Sequence, residues 1–220
     1  METIYFTDWT LQKLHNAFGL REVDSLPALE TWLNMPDNLD DLDRAILDRI
    51  RHQLKGAIDT YQEQELILKC IGGIITITDL DGKTFRAFSE RLIEAKIDGY
   101  TLKGKPDLFI AKGIQEPETP FFCLHEYKRG IESSGDPAGQ CLAAMLVAQN
   151  LNGDAKQAIY GSYVLGQQWV FMTLVGKRYA QSVPYIVTRN DIFDIVRLLR
   201  GLRMEVARIL HDDDDEWEDN

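Results

Sequence analysis

Covalent cross-links and membrane anchors are what this chain most lacks. Only three cysteines occur, Cys70, Cys123 and Cys141, an odd number and widely spaced, so a disulfide framework is not expected. No Cys-x-x-Cys pair is present to seat zinc or an iron–sulfur cluster. That cysteine usage leads to the expectation of a reducing, cytoplasmic setting. No stretch approaches the ~18 consecutive apolar residues of a transmembrane helix, so no membrane partner is expected. The start, Met1-Glu2-Thr3-Ile4, lacks a basic region followed by an apolar core, and no secretory signal is expected there. Histidine is sparse: His15, His52 and His211 are scattered with no metal-ligand spacing. No internal repeat is evident. Gly161-Ser162-Tyr163 and Gly166-Gln167-Gln168 lack the remainder of a phosphate-binding loop.

What is present is an ordinary globular composition, 45% hydrophobic and 27% charged over 220 residues. That length suits one domain with an elaboration and a substantial core. The net charge of −11 argues at first against a polyanionic partner. Its distribution points the other way. Residues 1–81 carry a balance of −8, residues 82–211 one of +4, and residues 212–220 one of −7. Charge therefore permits a polyanion on the middle and later segments. The tail from Asp212 to Asn220 reads as disordered. It would repel DNA, and it suits shielding of the basic surface or capture of a basic protein partner.

Periodicity predicts helices in the first third. Leu11, Leu14 and Phe18 share one face, Gly19 and Pro27 punctuate a turn, and Leu29, Trp32 and Leu33 suggest another helical turn. Asp40 or Asp41 can cap a helix that carries Leu42, Ile46, Ile50 and Leu54. A further helix is expected over 61–75, burying Leu66, Ile67, Cys70, Ile71 and Ile74. In it Gly72 and Gly73 either allow close packing or end the helix early. The pattern then turns to strands: Thr84 to Ile97 and Tyr100 to Lys112 joined at Asp98-Gly99, then Phe121 to Lys128. Asp136-Pro137 opens a helix over 137–151 whose small residues, Ala138, Ala143, Ala144 and Ala148, suit close packing on a sheet. Two strands, Ala158 to Leu165 and Gln168 to Val175, precede a last helix from Asp191 to Leu210. The fold class expected is α/β (α+β), one mixed sheet flanked by helices with an N-terminal helical elaboration.

One constellation suggests chemistry. Asp107 ends Gly104-Lys105-Pro106-Asp107, and Glu126 heads Glu126-Tyr127-Lys128. Side chains two apart on a strand share a face, so Glu126 and Lys128 point together, with Phe122 and Leu124 continuing that face inward. Tyr127 and His125 then alternate to the other face, where His125 reads as a packed or surface histidine. If the strands of Asp107 and Glu126 pair, their carboxylates and the Tyr127 backbone carbonyl suit a hard cation such as Mg²⁺ or Mn²⁺. Lys128 would position or deprotonate an attacking water, or stabilise charge in the transition state. A structural ion pair between Glu126 and Lys128 is the plainer alternative. The apolar flanks, Leu108 to Ile110 and Phe121 to Leu124, place these charges in otherwise buried strands, where a carboxylate needs a partner.

Motif and element order together resemble the PD-(D/E)XK nuclease superfamily. The stretches Glu63-Gln64-Glu65-Leu66, Leu102-Lys103-Gly104-Lys105-Pro106-Asp107, Phe122-Cys123-Leu124-His125-Glu126-Tyr127-Lys128 and Gly139-Gln140-Cys141-Leu142-Ala143-Ala144-Met145 carry the likeness, over roughly residues 42–205. They resemble a group of uncharacterised bacterial proteins within that superfamily. The resemblance implies a restriction-endonuclease-like core and a Mg²⁺-dependent phosphodiester hydrolase acting on nucleic acid, DNA ahead of RNA. It implies metal at Asp107, Glu126 and the Tyr127 carbonyl, with Lys128 at the water. It also implies an acid on the first core helix, for which Glu63 and Glu65 compete; helical geometry favours Glu63. Gln140 resembles a substrate-side glutamine of some nuclease families, and a plain helix-surface role is equally open to it. A homodimer is an expected assembly for a restriction-like enzyme cutting both strands. The organisation implied is a helical elaboration over 1–58, a nuclease-like domain over 59–211 and an acidic tail over 212–220. The rival expectation is a catalytically silent nuclease-fold module, binding or regulatory, in a defence or repair complex.

Overall fold

The computed structural model describes residues 2–130 and 135–211. The acidic tail, with the disorder and protein partner expected of it, lies outside the described residues. Among those described, no helix is long and apolar enough to cross a membrane.

After strand β1 (Glu2–Tyr5), helix α1 (Leu11–Phe18) starts at Thr10, whose hydroxyl accepts the Lys13 N–H at 3.2 Å. It stops at Gly19, which takes the left-handed φ of 68° that glycine tolerates best. A two-residue strand β2 (Arg21–Glu22) leads to α2 (Pro27–Leu33) and α3 (Asp41–Leu54). Asp40 caps α3 in a reciprocal box with Asp43. The buried face of α3 differs from the one expected. Leu42 and Ile46 are 67% and 39% exposed, whereas Leu47 and Leu54 are buried and Ile50 half-buried. The physical reason is at the N-terminus of α3. Arg200 grips the Asp43 carboxylate with two bonds, at 2.6 and 2.9 Å, which turns the Asp43–Leu47–Ile50–Leu54 row inward.

The next helix runs unbroken through α4 (Glu63–Leu66), a π turn (Ile67–Ile71) and α5 (Gly72–Thr78). The wide turn lets Cys70 and Ile71 both face the core. Gly72 and Gly73 do not end it. A Cβ on Gly73 would stand 2.9 Å from the Ile50 methyl, so glycine lets α3 press against α5.

The protein is a mixed α/β structure with a large eight-stranded mixed sheet and a small three-stranded one. The strands are β3 (Phe85–Phe88), β4 (Ile93–Ile97), β5 (Tyr100–Gly104), β6 (Leu108–Lys112) and β7 (Glu118–Lys128). Helix α6 (Pro137–Asn152) follows, then β8 (Ile159–Leu165), β9 (Gln168–Val175), β10 (Arg178–Gln181), β11 (Tyr185–Ile186) and helix α7 (Asp191–Leu210). The large sheet runs β2-β10-β9-β8-β7-β6-β3, with β11 beside β9; the small one runs β1-β5-β4. The two long strands expected before β7 are each broken in two, and the hairpin they form is shared between the sheets. Its outer part, β4 with β5, belongs to the small sheet, and its inner part, β3 with β6, to the large one. The break falls at Glu90, with φ of 51°, whose N–H reaches the Pro106 carbonyl at 3.2 Å. Pro106 has no N–H to continue the ladder.

Strand β7 is central, antiparallel to β6 and parallel to β8, and α6 makes the crossover between β7 and β8. A shift of register near Ala111 leaves Phe122 unpaired. Phe122 therefore packs in the cluster of Cys123 and Tyr127, and not, as expected, on the face of Leu124. The core has two parts. Helices α2, α3, α5 and α7 pack in one, with Leu47, Ile74 and Leu199. Helix α6, α1 and the small sheet pack in the other, with Leu14, Leu102 and Met145. Ala138 through Gln149 of α6 are all buried, because that helix lies against both sheets and α1. Residues 1–58 enter both parts of the core through Leu14, Trp32 and Leu47.

Candidate metal centre

Asp107 sits where the broken hairpin enters the large sheet. Leu108 faces His125 across β6 and β7, so the register continued one step sets Asp107 opposite Glu126. With the Pro106 carbonyl turned to the Glu90 N–H, the Asp107 side chain serves as the acceptor on β7: its Oδ2 receives the Tyr127 N–H at 2.6 Å. Small residues support the turn. A Cβ on Gly104 would stand 2.3 Å from the Phe6 ring, so Phe6 fixes the strand that delivers Pro106 and Asp107.

Glu126 continues the face of Leu124 and is 8% exposed. Lys128 Nζ lies 3.0 Å from Glu126 Oε1 and 3.7 Å from Glu63 Oε2 at the start of α4. The ammonium is thus shared between a buried carboxylate and a half-exposed one. Burial, and then the neighbouring Asp107, push the Glu126 carboxyl up to about 7. Burial also raises Asp107; the Tyr127 N–H and Lys128 oppose this, while Glu63 and Glu90 add to it. For Lys128 burial works downward, but the Glu126 carboxylate outweighs it and the group ends above its ordinary value. Two acids that resist ionisation, with one lysine beside them, form a cation-seeking arrangement.

Among the described residues, no three His, Cys, Asp or Glu side chains gather closely enough to hold a metal ion. The donor set that could receive one is smaller: Asp107, Glu126 and the Tyr127 carbonyl. Their oxygens suit Mg²⁺ or Mn²⁺, ions that keep several waters and need few protein ligands. The raised acids support the fit, since a divalent cation would relieve the repulsion they show.

Of the two competing glutamates, Glu63 approaches Lys128, whereas Glu65 pairs with Lys69 at 2.9 Å and caps the Gln62 N–H. Gln140 is 2% exposed, so it is no surface residue; its Oε1 has no partner among the described residues, and its Nε2 lies against Gly135. His125 is 1% exposed, and burial drives its pKa down to about 3. Its Nδ1 meets Ser162 Oγ at 2.5 Å, its Nε2 meets Cys123 Sγ at 3.3 Å, and Trp169 Nε1 donates to the same Ser162 oxygen at 3.0 Å. That histidine is closed within the core. Two residues near the centre were not singled out from sequence. Glu90 read as strand interior, yet the hairpin break brings its charge to bear on Asp107. Arg129, next to Lys128, donates to Gln62 Oε1 at 2.9 Å and so ties the end of β7 to α4.

No protein-family model and no curated protein matches this chain.

Proposed function

We propose that the protein is a metal-dependent phosphodiester hydrolase acting on nucleic acid, DNA ahead of RNA, with a restriction-endonuclease-like core. The observation that carries this reading is the convergence of Asp107, Glu126 and Lys128 at the break of a shared hairpin. Asp107, Glu126 and the Tyr127 carbonyl would hold Mg²⁺ or Mn²⁺. Such an ion supplies Lewis-acid stabilisation of phosphate charge and a more acidic water. Lys128, with its raised pKa, is an ammonium at neutral pH, and this supports its role as a donor to the attacking water or the phosphate oxygens. Water forms the new P–O bond and releases a proton to solvent, the bridging P–O bond breaks, and the leaving oxygen takes up a proton from solvent. Glu63 assists by sharing Lys128. Gln140, buried beside Gly135 with an unpartnered Oε1, is assigned to binding substrate.

A second reading is favoured by the absence of a third acid among the described residues and by the net charge of −11. It is a silent nuclease-fold module that binds or regulates within a defence or repair complex. Plasmid and single-stranded DNA incubated with Mg²⁺ or Mn²⁺ separate the two. Cleavage by the wild type that Asp107→Ala and Lys128→Ala abolish supports the hydrolase. Cleavage that survives both substitutions sinks it, and absent metal binding by calorimetry in the intact protein favours the silent module.

A further inference from the structure

At the same end of the sheet as Lys128 lies an open cavity of about 660 Å³ that the proposed chemistry does not use. Its wall includes Arg51 and Lys55 from the end of α3, Gln167 from the turn between β8 and β9, and Arg189 and Asn190 ahead of α7. Two acids share this wall with three cations, and neutral donors orient them. Asp59 accepts from Gln167 Nε2 at 3.3 Å, and Asp191 accepts the Ile186 N–H at 2.9 Å. Arg51 is held by Asp48 at 2.7 Å, bonds Asn190 and lies over the Phe193 ring. Lys55 and Arg189 are different: both are exposed, and neither side chain has a partner among the described residues. Two uncommitted cations and a third, fixed one line a concave polar surface, and the N-terminal end of the twenty-residue α7 adds its positive dipole end there.

The cavity is joined to the candidate centre by a short path. The Gly166 N–H donates to the Lys128 carbonyl at 2.9 Å, and Gln167, the next residue, is part of the wall. The turn at Gly166 and Gln167 spans at most about 7 Å, so the wall begins within about that distance of the end of β7. We infer that this cavity binds a backbone phosphate of the same nucleic-acid strand, a short distance from the phosphodiester presented to Asp107, Glu126 and Lys128. The inference rests on the hydrolase reading for its choice of polyanion. It goes further by assigning Lys55 and Arg189 to the substrate, residues far from the motif in sequence.

The test is binding of a short fluorescein-labelled DNA duplex by anisotropy, in EDTA, across a range of salt. The pair Lys55→Ala/Arg189→Ala is compared with Lys112→Ala/Lys156→Ala, exposed lysines near the opposite ends of β6 and β8. The cavity pair is expected to weaken binding about tenfold at 0.15 M salt and lower the salt slope by about 2, while the control pair leaves both unchanged. Equal binding by wild type and the cavity pair, or equal loss in both pairs, overturns the inference. Mg²⁺-dependent cleavage by a cavity pair whose Kd is unchanged overturns it too, and leaves the hydrolase reading standing. Selective loss of binding in the cavity pair, with no cleavage by the wild type, upholds the cavity as a nucleic-acid site and sinks the hydrolase reading.

Discussion

The two faces of β7 between Cys123 and Lys128 use alternate residues of one short stretch to opposite ends. On one, Cys123, His125, Ser162 and Trp169 form a closed network in which a neutral imidazole satisfies its neighbours. On the other, Glu126 and Lys128 share a line with Leu124, and the acids resist ionisation even with a lysine 3.0 Å away. The first face is spent on structure. The second keeps an electrostatic demand that its own residues only partly meet, and it meets solvent. That contrast, rather than the presence of charge, separates a core polar network from a candidate centre.

The strongest way to break the contrast is chemical. Asp107→Ala and Lys128→Ala are each expected to lower Mg²⁺-dependent cleavage of plasmid by about 100-fold or more, with circular dichroism unchanged. His125→Ala, one residue from Glu126, should do the reverse. It leaves Ser162 and Cys123 short of a partner and opens a cavity, costing about 2–4 kcal/mol in urea unfolding. Cleavage per folded molecule should hold; a loss of activity beyond the loss of folded protein would join the two faces.

pH sharpens the comparison, because the two faces titrate with opposite sign. The folded His125 sits at about 3, below the ~6.5 of a free imidazole, so the unfolded chain binds more protons between those values. Stability from this group is complete above ~6.5 and falls as pH drops toward 3, by up to about 1.4 kcal/mol per unit. His125→Phe should flatten that acid limb in urea titrations. Glu126 sits at about 7, above its ordinary 4.5, so the folded chain binds more protons in that window. Its contribution is greatest below 4.5 and is lost as pH rises through 7. Glu126→Gln should therefore stabilise the metal-free protein at pH 8 relative to pH 5, by about 1 kcal/mol once the lost lysine contact is allowed for. Mg²⁺ should raise the Tm of the wild type at pH 8 and not that of Glu126→Gln; equal shifts would remove Glu126 from the metal.

The smallest expected effect is at the helix acid. Glu63 is 46% exposed and 3.7 Å from Lys128, so Glu63→Gln should change stability by less than about 0.5 kcal/mol. Its activity loss should exceed that of Glu65→Gln, whose side chain is committed to Lys69 and the helix start. Equal losses would detach Glu63 from the centre.

Local rules suffice for reading the sequence where a residue's role is settled by its neighbours in the chain. Asp40 (one of two candidates, with Asp41) and Asp136 as caps, Pro137 in the first turn, and the strand ending at Lys128 follow from such rules and stand in the structure. The misses arose where distant contacts decide. Leu42 and Leu47 exchange roles because Arg200, far along the chain, grips Asp43. Phe122 changes faces because of a register shift against Ala111 that no alternation pattern displays. Strands β1 and β10, four residues each, are too short for periodicity and exist through their partners β5 and β9. At the candidate site, the pairing of Asp107 with the strand of Glu126 was legible. The closeness of Glu90 was not, since it depends on one hairpin parting into two sheets.

That parting has a mechanical consequence. The carboxylate of Asp107 is set at a joint, and one arm of the joint is the small sheet, which β1 completes along β5 and Phe6 pins over Gly104. Residues near position 5 thus govern the aim of a side chain a hundred positions later, without approaching it. A bulky fusion or a deletion at that end would act as a lever on the Asp107 carboxylate, and a tag chosen for purification becomes an experimental variable in every test of the candidate centre.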